Sequence, residues 1–251
     1  MTMSQLNNVT PLFKDLAKVE HDHQIACQEC ALYRLCLPLG LHNNDLAKLD
    51  SIIERSKSLS RGQSLFNAET PFKSVFVVRS GCFKTTVDAV DGREQVTGFY
   101  FPGEFIGMDA IYQQAYQSSA KALETSTVCE LPYDKLQQFS ATIPQLQTQM
   151  LNRLSKELSG DKSLMFLLGK KTAEEKLATF LLSLSRRFQE RGFSARDFQL
   201  SMSRGDIANH LGLAIETVSR LFSRFQDEGL IRIQNKALTL LDTEKLKQLC
   251  G

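Results

Sequence analysis

The chain has 251 residues, 42% of them hydrophobic and 23% charged, enough to bury a sizeable core and near the upper limit for one undivided domain, so two domains are expected. Lys plus Arg total 30 against 28 Asp plus Glu, which excludes a uniformly basic coat; the surplus is local, net +4 from Lys170 to the end and −2 before it, a mild pointer to nucleic acid in the C-terminal third. No apolar run reaches the roughly 18 residues of a spanning helix, and the polar start MTMSQLNN lacks the charged-then-apolar pattern of a signal peptide, so a soluble cytoplasmic protein without a membrane partner is expected.

Residues 1–26 show no sustained periodicity and read as a loosely held arm. The next stretch, CQECALYRLCLPLGL, places Cys27, Cys30 and Cys36 within ten residues, with Pro38 and Gly40 opposing a long helix. A short helix follows, with Asn43 or Asn44 capping a stripe of Leu46, Leu49, Ile52 and Ile53. From Leu59 to Leu131 the pattern becomes short β-rich runs at 74–78, 82–87, 95–101 and 126–131. Arg61-Gly62, Ser80-Gly81, Asp91-Gly92 and Pro102-Gly103 separate them, which predicts an antiparallel sandwich or jelly roll. No helix–strand alternation points to a parallel sheet.

After Pro144 the period is helical. Leu146, Met150, Leu154, Leu158, Met165 and Leu168 recur at three- and four-residue steps and predict one apolar stripe on a long helix. Such a stripe can pack on the β domain or form a seam with a second copy of the chain; a lone helix of this length between two domains favours the seam. Asp161 interrupts it. Either Gly160 breaks the helix and Asp161 caps the next segment, or the helix continues and two symmetry-related carboxylates oppose association.

The segment Ser203 to Phe225, SRGDIANHLGLAIETVSRLFSRF, has helix-turn-helix spacing. Ser203 and Asp206 form a capping pair, Gly212 supplies the turn, and a second helix is expected from about Ile215 to Asp227. Its buried face would hold Val218, Leu221, Phe222 and Phe225, leaving Glu216, Ser219 and Arg220 together on another face. Arg220 can bond bidentately to guanine, Glu216 can accept from cytosine, and Ser219 can meet a base edge. Thr217, Ser223 and Arg224 suit backbone phosphate, which positions without specifying. Two short runs flanking Asn235 predict a hairpin wing.

A secreted disulfide scaffold would be shorter and denser in cysteine, so reduced thiols or a metal site are favoured. Cys129, between Val128 and Leu131, reads by itself as a buried small hydrophobe, or it can join the three clustered cysteines in a four-thiolate site that zinc or an iron–sulfur cluster would accept, with Leu32, Leu35, Leu37 and Leu39 as an apolar collar. Cys82 and Cys250 read as packing residues. A thiol oxidoreductase using the C-x-x-C lacks the βαβ setting that such chemistry needs, and the histidines show no metal spacing, so no enzyme is expected.

The order of cysteine cluster, β sandwich with S-G-C-F-K-T and P-G-E-F-I-G turns, long helix and E-T-V-S-R helix resembles the CRP/FNR superfamily of transcription regulators. Within it, C-x2-C-x5-C, A-L-E-T-S-T-V-C-E-L-P (122–132) and S-R-R-F-x-x-R-G-F-S (185–194) are similar to the anaerobic FNR (fumarate and nitrate reduction regulator) branch. The resemblance covers nearly everything after the first twenty residues. It implies an α+β architecture: an arm over 1–26, a cysteine loop and jelly roll of cyclic-nucleotide-binding type over 27–142, a dimerisation helix over 143–170 and a winged helix-turn-helix over 171–251. It further implies an oxygen-labile 4Fe–4S cluster on Cys27, Cys30, Cys36 and Cys129, whose assembly favours a homodimer reading TTGAT-like half-sites of double-stranded DNA through Glu216, Ser219 and Arg220. Asp161 matches a position where a carboxylate holds the cluster-free form monomeric. RNA polymerase contacts are implied around 88–93, Thr125, Phe193 and Ser194, although Arg93 replaces an acid there. Where the cyclic-AMP-binding branch has an Arg-Ser pair this chain has Ser118-Ser119, so no cyclic nucleotide is expected. A member with zinc or no metal, answering another signal, is the alternative.

Overall fold

A computed structural model describes residues 26–38, 41–55 and 58–250. The expected arm therefore lies, except for Ala26, outside the described residues. Eight short strands build the sandwich: β1 (Glu54–Arg55), β2 (Ser64–Phe66), β3 (Ser74–Ser80), β4 (Phe83–Asp88), β5 (Glu94–Tyr100), β6 (Phe105–Ile106), β7 (Ser119–Ala122) and β8 (Thr127–Pro132). They form two antiparallel four-stranded sheets, ordered β1-β8-β3-β6 and β2-β7-β4-β5. The four longer strands fall where the alternating sequence runs predict them. β1, β2, β6 and β7 have only two to four residues, too few to show a period.

The turns follow from their glycines. Gly81 has φ +80°, and a Cβ there would sit 2.1 Å from Ser126 Oγ, so the β3–β4 corner accepts no other residue. Gly103, at φ +87°, would bring a Cβ within 2.8 Å of Leu35 Cβ, and its bareness lets the cysteine loop lie against the sandwich. Between the sheets Phe66, Phe76, Phe83, Ile106 and Val128 make the β core, and Leu46, Leu49 and Ile52 belong to the same cluster.

Helix α1 (Asn43–Ile52) buries the predicted stripe, but His42 occupies the N-cap and no side chain caps it. Asn43 and Asn44 are helical, so the expected Asn cap is corrected. After α2 (Tyr133–Thr142) comes α3 (Pro144–Lys170), 27 residues with Pro at the N-terminal turn, where its missing N–H costs nothing. The helix runs through Gly160 and Asp161 without a break, which removes the reading of Asp161 as a cap.

The C-terminal module contains α4 (Ala173–Glu190), β9 (Asp197–Gln199), α5 (Arg204–Leu211), α6 (Ile215–Asp227), β10 (Ile231–Gln234), β11 (Ala237–Leu240) and α7 (Thr243–Leu249). A Thr172–Glu175 capping box starts α4. The wing is a three-stranded sheet, β10-β11-β9, rather than the two-stranded hairpin the sequence shows. Its turn holds Asn235 at φ +57°. The module's core continues onto the outer face of the second sheet, where Cys82, Val96, Phe99, Phe101 and Leu123 meet α4 and α5.

Candidate functional site

The reading helix is built by its own local chemistry. Ser203 Oγ accepts from Asp206 N at 3.0 Å and Asp206 accepts from Ser203 N at 2.9 Å, so α5 begins with a complete capping box. Gly212 ends it at φ +60°, and α6 follows after two residues. Val218, Leu221, Phe222 and Phe225 are buried, which turns Glu216, Ser219 and Arg220 to solvent on one exposed face. Thr217 is half-buried, while Ser223 and Arg224 are exposed. The Arg224 guanidinium is engaged with Glu174 and, at 3.1 Å, with Glu228. A phosphate contact by Arg224 would therefore exchange one anion for another.

Sequence reasoning did not find how this module sits on the sandwich. Lys84 Nζ bridges Glu94 at 3.0 Å and Asp206 at 2.9 Å, so Asp206 both caps α5 and ties it to β4. Asn209 donates to Glu94 O at 2.7 Å and accepts from Val96 N, and His210 Nδ1 lies 3.1 Å from Val96 O. Burial holds the His210 imidazole below its ordinary pKa. On α4, Arg187 Nε donates to Glu104 at 3.0 Å and Arg191 Nε donates to Pro102 O at 2.7 Å. Burial works to raise the Glu104 carboxyl, but the two guanidinium groups outweigh it and hold the carboxyl low. The P-G-E turn contains Glu104 and the 185–194 motif contains Arg187 and Arg191, but nothing in either shows that they pair across more than 80 residues of chain.

Cys27, Cys30 and Cys36 lie on a turn-rich loop with one 3₁₀ turn, Tyr33–Leu35, and Cys129 lies at the centre of β8. All four line one cavity, together with Leu32, Leu37 and Val77. Leu35 packs over Gly103 instead, and Leu39 lies outside the described residues. All four cysteines are unpaired. Burial pushes the Cys36 thiol up to about 12, aided by Cys129 and Cys30 and opposed by Arg153. Burial and Asp50 raise Cys27, and burial raises Cys129 against Arg79 and Arg55. Arg55 is paired with Asp50, whose carboxylate also accepts from Cys27 N at 2.9 Å.

Burial in this apolar pocket favours the thiol form of Cys27, Cys36 and Cys129, and a bound metal would favour the thiolate. Among the described residues no three Cys, His, Asp or Glu side chains converge closely enough to hold a single metal ion. The donor set does suit a larger all-sulfur group: four thiols from two elements, apolar walls, and nearby guanidinium groups to balance thiolate charge.

On α3 the structure divides the predicted seam. Leu146 is fully buried against the β core and Met150 is half-buried beside it, so Leu146 is corrected to a residue of its own subunit's core. Leu154, Leu158 and Met165 are exposed, and so is Leu151, which the sequence stripe omitted. Positions 151, 154, 158, 161 and 165 alternate three- and four-residue steps, the spacing of a coiled-coil seam, with the exposed Asp161 in its middle. Asp161 has acidic company: Glu157 is pushed up to about 7 by burial, then by Asp109, Asp161 and Glu104. At the far end Leu168 lies against the turn at Gly212, where an added Cβ would meet it at 3.5 Å.

Cys82 is fully buried in the core, and Cys250 accepts from Thr179 Oγ1 at 3.4 Å on the edge of α4. Val90, Arg93, Thr125, Phe193 and Ser194 are exposed, with Arg93 Nε 2.8 Å from Asp91. Ser118 and Ser119 are buried, and Ser119 Oγ accepts from Ala68 N at 3.0 Å. No helix among the described residues is long and apolar enough to cross a membrane.

Residues 56–142 match the cyclic nucleotide-binding domain family and residues 175–249 the Crp-like helix-turn-helix domain family. The chain is 47% identical over 234 residues to the transcriptional activator protein anr of Pseudomonas aeruginosa, covering 93% of this chain and 96% of that protein. It is 46% identical over 227 residues to the fumarate and nitrate reduction regulatory protein of Escherichia coli K12, covering 90% and 91%. Its fold is similar to that of FixK2 from Bradyrhizobium japonicum, with a TM-score of 0.74 at 27% identity over 80% of this chain and 98% of that one. With near-full-length relatives on one side and the jelly roll, long helix and helix-turn-helix on the other, the chain belongs to the CRP/FNR family of transcription regulators, which are not enzymes.

Proposed function

We propose that this regulator senses oxygen through the cysteine pocket and controls anaerobic gene expression in the cytoplasm. Cys27, Cys30, Cys36 and Cys129 would hold one 4Fe–4S cluster per subunit. When bound, the cluster supplies an oxygen-labile link between the loop and β8. Two chains would then pair along Leu151, Leu154, Leu158 and Met165, and the paired α6 helices would read a palindrome of TTGAT-like half-sites. Arg220, Ser219 and Glu216 would meet base edges; Thr217 and Arg224 would meet phosphates. The loop at 88–93, Thr125, Phe193 and Ser194 offer exposed surface to RNA polymerase, with Arg93 reversing the charge expected of one such contact. With Ser119 engaged by Ala68 and no guanidinium at Ser118-Ser119, a cyclic nucleotide phosphate would lack its charge partner.

One observation carries the reading. In a chain 46% identical to a fumarate and nitrate reduction regulatory protein, the strand cysteine faces the same apolar cavity as the three loop cysteines. Protein purified without oxygen should be brown, with equal iron and acid-labile sulfide, and should bind its operator as a dimer. Air should bleach it and release the DNA. A colourless preparation containing zinc, with DNA binding indifferent to air, would support the alternative of a family member that answers another signal.

A further inference from the structure

Arg153 stands out on α3. Among the described residues its Nε is the one buried side-chain nitrogen or oxygen without a hydrogen-bond partner. Its guanidinium carbon lies 5.8 Å from the Phe105 ring centroid, and its charge acts on Cys36. An unpaired buried donor is costly, and a cation more so, which is why native proteins seldom keep one without a purpose. Three contacts of the fold locate that purpose. Phe105 pairs with Val77 in the β3–β6 ladder, Val77 pairs with Cys129 across β3–β8, and Cys129 pairs with Arg55 across β1–β8. Residues directly opposite in a ladder share a face. One row across the sheet thus runs from Arg55 through the sulfur of Cys129 to the aromatic floor under Arg153, with a guanidinium at each end.

The two guanidinium groups differ. Arg55 is paired with Asp50, whereas among the described residues the Arg153 Nε has no hydrogen-bond partner. Arg153 also belongs to the element that carries the seam: Leu151 and Leu154 flank it, and Glu157 and Asp161 follow at four-residue steps. We propose that Arg153 is a positioning residue, the counter-cation of the four-cysteine site, and that its attraction to the thiolates sets the placement of α3 for pairing. The proposal rests on the iron–sulfur reading of the pocket. Without the cluster the guanidinium lies against the Phe105 ring, and among the described residues its Nε has no hydrogen-bond partner. Once the four sulfurs are thiolates around an iron–sulfur core the site carries net negative charge, and Arg153 gains the partner it lacks. Its Coulombic gain is large because the walls are apolar. Chain position then does the rest: a pull at 153 bears on 151, 154 and 158, the first half of the seam, against the acidic group at 157, 161 and 109.

Replacing Arg153 by Met, which keeps the length and removes the charge, should act with opposite sign in the two states. Without iron, Arg153→Met should melt at the same temperature as the natural protein or higher, since a buried donor nitrogen without a hydrogen-bond partner is gone. Loaded anaerobically to the same iron and sulfide, it should need about tenfold more protein to dimerise in sedimentation, and Arg153→Lys should recover most of that loss. Failure of Arg153→Met to load where Arg153→Lys loads supports the same counter-cation role. The proposal is overturned if the Met variant is destabilised in the iron-free state, which marks a purely structural residue, or if its loaded form dimerises like the natural one. Should the natural protein itself take up no iron and sulfide, the reading of the pocket fails, and Arg153 is then not the cause.

Discussion

The reading helix and the cysteine loop are built on opposite principles. In the helix-turn-helix each requirement is met within a few residues: Ser203 and Asp206 cap α5 reciprocally, Gly212 takes the left-handed turn, and four apolar residues of α6 enter the core. The cysteine loop satisfies little by itself. It has one 3₁₀ turn, burial raises its Cys27 and Cys36 thiols, and among the described residues the Nε of Arg153, whose charge acts on Cys36, has no hydrogen-bond partner. The first region is complete as protein; the second is a set of donors arranged around something protein does not supply. Regulation can enter only at the second region. A module that satisfies its own polar groups can be presented or withheld but has little reason to change shape, whereas an incomplete one changes energy when its partner arrives.

The sharpest way to break that contrast is to remove one sulfur. Cys129→Ser should abolish iron and sulfide retention and leave the fold intact, with circular dichroism unchanged, because the side chain borders a cavity rather than filling the core. Cys82→Ser, at a fully buried site, should do the reverse, losing roughly 1–3 kcal/mol of stability while keeping the metal site. If Cys129→Ser unfolds the chain, the cysteine is a core residue and the contrast collapses.

On the other side, Arg220→Ala should weaken binding to the best operator by about 1–3 kcal/mol, roughly 5- to 150-fold, and relax the preference at one base pair. Arg224→Ala should weaken all sequences alike and lower the salt slope by about one, less the part already spent on Glu174 and Glu228. Competition binding against single-base operator variants separates the two. Between the regions lies Asp161. Asp161→Ala should let the iron-free chain dimerise at about tenfold lower concentration, because the exposed seam then loses its one charge at 161; a variant that stays monomeric would remove carboxylate repulsion as the barrier.

How much of this could be read in the sequence follows the same division. Local determinants carried the helix-turn-helix to within a residue: the capping pair, Gly212 and the period of α6 are all contained in Ser203–Phe225. The cysteine spacing showed three of the four sulfurs, and the resemblance supplied the fourth, since Cys129 sits about a hundred residues away and only the β3–β8 register brings it round. What stayed hidden is what depends on docking. Leu146 shows the same periodicity whether it faces a partner or its own sandwich, and only the packing on the β core decides. Lys84, Asn209 and Arg187 look like ordinary surface residues until α4 and α5 are docked on the sheet that carries β4 and β5. Arg153 had no signal at all, because a missing hydrogen bond is visible only once every neighbour has been placed.

The smallest effect concerns the acidic group under the seam. Glu157 faces Asp109 of the turn after β6, Tyr100 of β5, Asp161 one turn along its own helix and, farther off, Glu104. Glu104 is held charged by Arg187 and Arg191, while burial and Asp161 raise Asp109 as well. With the Glu157 carboxyl pushed up to about 7, the folded chain prefers it protonated and the unfolded chain does not. Its contribution is therefore complete below the ordinary carboxylate range and is lost as pH rises through 7. Melting of the iron-free protein should reveal this as a gap that opens with pH: Glu157→Gln should match the natural chain near pH 5 and exceed it near pH 8 by about 2–4 °C, the scale of ~1 kcal/mol in a chain of this length. Equal curves across that range would mean that the carboxylate finds water at the helix surface. Asp161 would then act on the seam alone, with no help from the charges beneath it.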